Sequence, residues 1–128
     1  MNGKLRVLVV DDQESHRHGV MALLEFAADI EVTHEASNGQ EALRIVEQEQ
    51  PDVVLMDVRM PIMSGLEATR QIKERWPHVK VIVLSMYPSY EAPAMAAGAD
   101  WFLPKGTVSG SLEDIIRGVA SSSIQETA

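Results

Sequence analysis

Three aspartates, one serine and one lysine stand out because each ends or directly follows a short apolar run. Asp11 and Asp12 follow Leu5–Val10, Asp57 follows Val53–Met56, Ser85 follows Val79–Leu84, and Lys105 follows Trp101–Leu103 and Pro104. Brought together, three carboxylates repel, and at least one is pushed toward protonation unless a cation joins them. A hard divalent ion takes oxygen ligands, keeps several waters and shares its shell with phosphate oxygens. An all-aspartate set without His or Cys therefore points to Mg²⁺, with Mn²⁺ as an alternative, rather than Zn²⁺. Such an ion neutralises the cluster and screens an incoming phosphoryl group. A carboxylate can attack phosphorus and become an acyl phosphate. Asp57 is the candidate nucleophile, because it ends a strand and opens onto a loop able to admit a donor. Lys105 would pair with the developing phosphoryl charge, and the Ser85 hydroxyl would hydrogen-bond another of its oxygens.

Taken singly, these residues mean little. An acidic pair after a strand is also what a helix N-terminus prefers for capping and dipole reasons. Asp57 alone could be a loop aspartate ahead of Pro61, and Lys105 a solvated loop lysine. Only their joint placement argues for a site, and that placement depends on the elements between them.

Five short β-branched runs alternate with five amphipathic stretches, the pattern of βαβ units around a parallel sheet. The strands read Leu5–Val10, Ile30–Ala36, Val53–Met56, Val79–Leu84 and Trp101–Leu103. The first, third and fourth are nearly uninterrupted apolar, as required when helices cover both sheet faces. Helical stretches begin near Glu14, Gly39, Gly65, Tyr90 and Ser109. Leu66, Ile72 and Trp76 share one face of the third; Leu112, Ile115, Ile116 and Val119 share one face of the fifth. Asn38-Gly39 supplies the turn into the second, Pro77 stops the third, and Pro88 and Pro93 leave the fourth short before Gly98. In an open parallel sheet, ligands bind outside the carboxyl ends of the strands. The aspartates, Ser85 and Lys105 are therefore expected on one rim.

The motifs resemble the receiver domain of two-component response regulators, the CheY-like superfamily, from Val7 to Val119. They are Val-Asp-Asp at 10–12, Leu-Met-Asp-Val-Arg-Met-Pro at 55–61 with Ser64-Gly65, Val-Leu-Ser at 83–85, and Ala97-Gly98-Ala99 ahead of Phe102-Leu103-Pro104-Lys105. The wording around Met60-Pro61 and Gly65-Leu66-Glu67-Ala68-Thr69 is most similar to receivers of LuxR/NarL/FixJ-type transcriptional regulators. The resemblance implies a doubly wound, flavodoxin-like (βα)5 fold with strand order 2-1-3-4-5. It implies that Asp57 is the phosphorylated residue, Asp12 a direct metal ligand, Asp11 a water-mediated one, and Arg59 the donor of a backbone carbonyl to the metal. Ser85 and Lys105 match the phosphate-sensing pair, and Phe102 the aromatic that turns inward when the hydroxyl residue moves.

The implied function is a switch. A sensor histidine kinase donates a phosphoryl group to Asp57 in a Mg²⁺-dependent reaction, and the domain changes shape to control an output, a DNA-binding domain regulating transcription. The domain assists its own phosphorylation and dephosphorylation without being an enzyme toward other substrates, and homodimerisation on phosphorylation belongs to the same expectation. The alternative is a stand-alone receiver serving as phosphorelay shuttle or docking module. A metal-dependent hydrolase would need a second acid/base carboxylate near Asp57, where Val58, Arg59 and Met60 stand instead. A flavin-binding relative would meet repulsion between its phosphate and Asp11, Asp12 and Glu14.

Three departures from the family pattern bear on the switch. The segment from Ser85 to Lys105 is short, which trims the fourth helix and the face built from helix four, strand five and helix five. Gly106 follows the lysine where many relatives have proline, so no cis Lys-Pro bond forms there. Phe102 lacks a hydroxyl, so a switch through it works by packing. Hydrolysis of an aspartyl phosphate needs water in line with the phosphorus–oxygen bond. Arg59, two residues after the nucleophile, and Tyr87, two after Ser85, are the bulky side chains expected to guard that approach.

A chain of 128 residues suits one compact domain. We read residues 4–120 as that domain and 121–128 as a polar tail or the start of a linker to an output domain. The formal charge of −8 excludes nucleic-acid binding through this domain, which would need cations against the phosphate backbone. Absence of cysteine fits a reducing, cytoplasmic setting, and the longest early apolar run, broken by Arg6, is too short to span a membrane. His16 and His18, two apart, fall on different helix faces and read as solvated; His34 and His78 are not needed as phosphodonors. Met56, Met60, Met63 and Met86 read as core gap-fillers, and Trp76 and Trp101 as packing residues, with Trp101 the better candidate for a partner surface.

Overall fold

The computed structural model describes residues 3–105 and 112–122. Gly106, the expected helix start at Ser109 and the tail beyond Ser122 lie outside them. Strands β1 (Leu5–Val10), β2 (Ile30–Ala36), β3 (Val53–Asp57), β4 (Lys80–Ser85) and β5 (Trp101–Pro104) alternate with helices α1 (Glu14–Leu24), α2 (Gly39–Glu49), α3 (Gly65–Arg75), α4 (Glu91–Ala96) and α5 (Leu112–Ser121). A single 3₁₀ turn, Pro88–Tyr90, precedes α4. All pairings are parallel, in the order β2-β1-β3-β4-β5.

Alternation along each strand divides the core in two. Val7, Val9, Val53, Leu55, Ile82 and Leu84 face the side closed by Leu24 of α1 and by Leu112, Ile116 and Val119 of α5. Leu8, Val10, Val54, Met56, Val81 and Val83 face the side closed by α2, α3 and α4 through Val46, Ile72 and Ala94. Leu66 and Trp76 pack against this second side with Ile72, as their spacing predicts. Burial on both faces explains the unbroken apolar strands.

Local signals set the helix ends. The Asn38 side chain accepts the Glu41 N–H at 2.8 Å, and Ser64 Oγ accepts the Glu67 N–H at 3.2 Å, so both helices start on a capped turn. Pro93 lies in the first turn of α4, where a missing N–H is tolerated, and Gly98, at φ 104°, turns the chain into β5.

Some expectations shift. The third and fifth strands each reach one residue further, and the fourth is Lys80–Ser85 rather than Val79–Leu84, because pairing of Lys80 with Val53 sets its start. Met86 is 62 % exposed and not a core filler, since β4 has ended before it. Trp101 is 49 % exposed because β5 is an edge strand.

Candidate functional site

β1 pairs with both β2 and β3, so the order of strands reverses beside β1, and its carboxyl end and that of β3 open the crevice in which such folds bind ligands. The chain places Asp12, Asp57, Ser85 and Lys105 there, with Arg59 and Tyr87, around an open cavity of about 410 Å³. Carboxylate oxygens of Asp11, Asp12 and Asp57 all lie within 4.8 Å of one another.

Each functional side chain has a positional cause. Asp57 closes β3, paired with Leu84 of β4, and its backbone is pressed by the start of α3. A Cβ on Gly65 would collide with the Asp57 carbonyl, so only glycine lets α3 begin this close, where the Gly65 N–H reaches the Val58 carbonyl at 2.8 Å. Between them the loop carries Ile62 at φ 71°, a conformation costing on the order of 1–3 kcal/mol in a β-branched residue. The Met63 carbonyl, accepting the Gly39 N–H at 3.1 Å, ties that loop to α2. Lys105 is delivered by β5, its N–H donating to the Ser85 carbonyl at 2.8 Å.

Asp11 is buried, with one carboxylate oxygen accepting the Gln13 N–H at 2.9 Å and the other Lys105 Nζ at 2.9 Å. Lys105 Nζ also lies 3.3 Å from Asp57 Oδ1. Burial pushes the Asp57 carboxyl above the ordinary aspartate range; the Lys105 charge opposes this and Asp11 adds to it. Burial works against the Lys105 ammonium, but its hydrogen bond to Asp11 and the field of Asp57 outweigh that, and its pKa is raised. Three oxygen donors of one sign, with a desolvated carboxylate among them, fit a hard divalent cation; Asp11, Asp12 and Asp57 are the side chains that would hold it.

Ser85 is buried, and its Oγ accepts the Tyr87 N–H at 3.0 Å. The Arg59 guanidinium lies over the Tyr87 ring, 5.1 Å from its centre, so the two side chains expected to guard the site meet each other. Phe102 is buried, in the same core side as Ala94 and Ala99. Sequence reasoning missed three residues that line the cavity, Gln13, His16 and Met86. His16 is 48 % exposed, as a solvated side chain should be, yet its Nδ1 is 3.9 Å from Asp11 Oδ2. Its one available signal is its place one turn into the helix that follows Asp11 and Asp12.

Comparison with known proteins gives one answer. A family model described as the response regulator receiver domain matches residues 7–117. The chain is 36 % identical over 119 residues to transcriptional regulatory protein DegU of Brevibacillus brevis, covering 91 % of this chain and 50 % of that protein. It is 42 % identical over 115 residues to transcriptional regulatory protein LiaR of Bacillus subtilis, covering 88 % of this chain and 54 % of that one. The chain thus spans about half the length of these relatives. Among solved structures, a LuxR-family two-component response regulator from Aurantimonas sp. SI85-9A1 superposes with a TM-score of 0.88 at 28 % identity, covering 94 % of this chain and 87 % of that one. A CheY-like response regulator receiver domain protein from Methanospirillum hungatei JF-1 gives 0.84 at 26 % identity, covering 98 % and 99 %. The matched span runs from the first strand into the last helix and includes every residue around the acidic rim: the chain belongs to the response regulator receiver domain family.

Proposed function

We propose that this domain is the phospho-acceptor of a two-component system, with Asp57 as the residue phosphorylated. The observation that carries the reading is the meeting of Asp57 with Lys105 at 3.3 Å inside a ring of carboxylates open to solvent. An Asp57 carboxylate oxygen attacks the phosphorus of a phosphohistidine on a sensor histidine kinase. The bond from phosphorus to the histidine nitrogen breaks, the imidazole leaves, and an acyl phosphate remains on Asp57. Lys105 turns from Asp11 and Asp57 to the phosphoryl oxygens, and the Ser85 hydroxyl donates to another of them while still able to accept from Tyr87. When bound through Asp11, Asp12, Asp57 and the Arg59 backbone carbonyl, Mg²⁺ or Mn²⁺ supplies charge neutralisation for a phosphoryl group approaching three anions.

The output reading follows from the relatives, whose names describe transcriptional regulators. Phosphorylation is proposed to act on a DNA-binding domain outside residues 1–128, with homodimerisation as one route, in the cytoplasm where the kinase presents its phosphohistidine. The charge of −8 keeps nucleic acid off this domain itself. No helix among the described residues is long and apolar enough to cross a membrane.

Phosphoryl uptake from acetyl phosphate with Mg²⁺ tests the assignment. Asp57→Asn is expected to abolish it, because an amide oxygen is a far poorer nucleophile than a carboxylate. Undiminished uptake in that variant would remove Asp57 from the role.

A further inference from the structure

Tyr87 is tied to three parts of the molecule at once. Its N–H donates to Ser85 Oγ at 3.0 Å, and its carbonyl accepts the Tyr90 N–H at 3.1 Å. Its ring lies under the Arg59 guanidinium at 5.1 Å and meets the Tyr90 ring edge-on, with centres 6.1 Å apart. Arg59 and Ser85 line the candidate phosphoryl cavity; Tyr90 ends the 3₁₀ turn that leads without a break into α4. Tyr90 also packs against the core side that holds Phe102 and Ala94. Phe102 is buried, at 9 % exposure, whereas Tyr87 is 48 % exposed at the mouth of the cavity.

We propose that the contact series Arg59–Tyr87–Tyr90 is a latch that reports occupation of the phosphoryl site to α4, with Tyr87 as its positioning residue. The inference rests on the phospho-acceptor reading of Asp57. An arginine offers a planar fork that fits phosphoryl oxygens bidentately, and such a charge-assisted pair is stronger than an exposed contact with an aromatic face. A phosphoryl group on Asp57 therefore draws the Arg59 guanidinium off the Tyr87 ring. The ring loses its cover on one side, and its edge contact with Tyr90 loosens. α4 has little to resist this: it is six residues long, and Ala94 is its one buried residue. The device is local, built from contacts between residues that adjoin the site or the helix it controls.

Hydrogen exchange of residues 88–96, before and after saturation with Mg²⁺ and beryllofluoride, tests the latch, with amide shifts at 57 and 105 reporting whether the probe has bound. In the wild type, binding is expected to raise exchange in 88–96 several-fold. Arg59→Gln and Tyr87→Ala should show the raised exchange before the probe is added and little further change after it. Tyr87→Phe keeps the ring and should behave as wild type. Probe binding in the wild type with unchanged exchange at 88–96 would overturn the latch. So would Arg59→Gln and Tyr87→Ala retaining the wild-type response. Absence of any shift at 57 and 105 in the wild type would instead overturn the phospho-acceptor reading, and the latch with it.

Discussion

At Asp57, burial favours the neutral acid while Lys105, 3.3 Å away, favours the carboxylate that must act as nucleophile. The lysine is held by the same contest, since the carboxylates that raise its pKa keep it charged where a phosphoryl group would need it. The stacked Arg59 and Tyr87 bear on what happens next. Drawn to the phosphoryl oxygens, the guanidinium stands on the path of hydrolytic water, and Tyr87, still tethered to Ser85, narrows the rim. A phosphoryl state lasting minutes or more is expected. Arg59→Asn with Tyr87→Ala should lose phosphate several-fold faster, roughly 1 kcal/mol of barrier. Phosphate release from the purified domain measures this, and equal rates would mean the two side chains do not guard the site. Asp11 and Lys105 are 94 positions apart yet were legible as neighbours on one rim, because each follows a strand and parallel strands share that rim; their direct hydrogen bond was not. Gln13, His16 and Met86 were not legible, because their place at the cavity depends on the path of loops and the first helical turn, which periodicity does not encode.

Among the elements, punctuation residues carried most of the information. Asn38 and Ser64 begin α2 and α3 and Gly98 turns the chain out of α4 for stated chemical reasons, while Pro88 and Pro93 frame the short α4. Strand ends were less legible: Val79 reads as part of the fourth apolar run, but β4 begins at Lys80, where pairing with Val53 begins, and runs on to Ser85. One clasp was invisible in sequence. Arg117 of α5 donates from Nε and Nη2 to both oxygens of Asp29, at 2.7 and 2.9 Å, joining helix five to the turn before β2 across 88 positions. That hydrogen-bonded guanidinium holds the Asp29 carboxyl below its ordinary range. The native state then prefers the carboxylate more than the unfolded chain does. The clasp therefore stabilises the fold above the unfolded carboxyl's pKa, and this contribution is lost as pH falls through the depressed native value. Both partners are exposed, so the effect is small and screened by salt. Arg117→Ala should lower the thermal midpoint slightly at neutral pH and low salt, and the difference should close in strongly acid buffer. A difference that persists in acid, followed by circular dichroism, would mean that Arg117 acts through packing instead.

For the molecule as a whole, alternation of apolar strands with amphipathic helices made the layered parallel sheet legible, since few other arrangements bury strands on both faces. The exposure of Met86 and Trp101 was not, because it depends on where a strand stops and which strand lies at the edge. The same architecture gathers five separated residues on one rim while two core sides hold the sheet fixed beneath them, which is what a site for phosphoryl transfer requires. Asp57 is proposed as the phosphoryl acceptor at that rim. The most direct test is to incubate the purified domain with acetyl phosphate and Mg²⁺, trap acyl phosphate by borohydride reduction and map the product by mass spectrometry. Modification is expected at Asp57 alone; an unmodified Asp57, with the label absent or found on Asp11 or Asp12, would overturn the assignment.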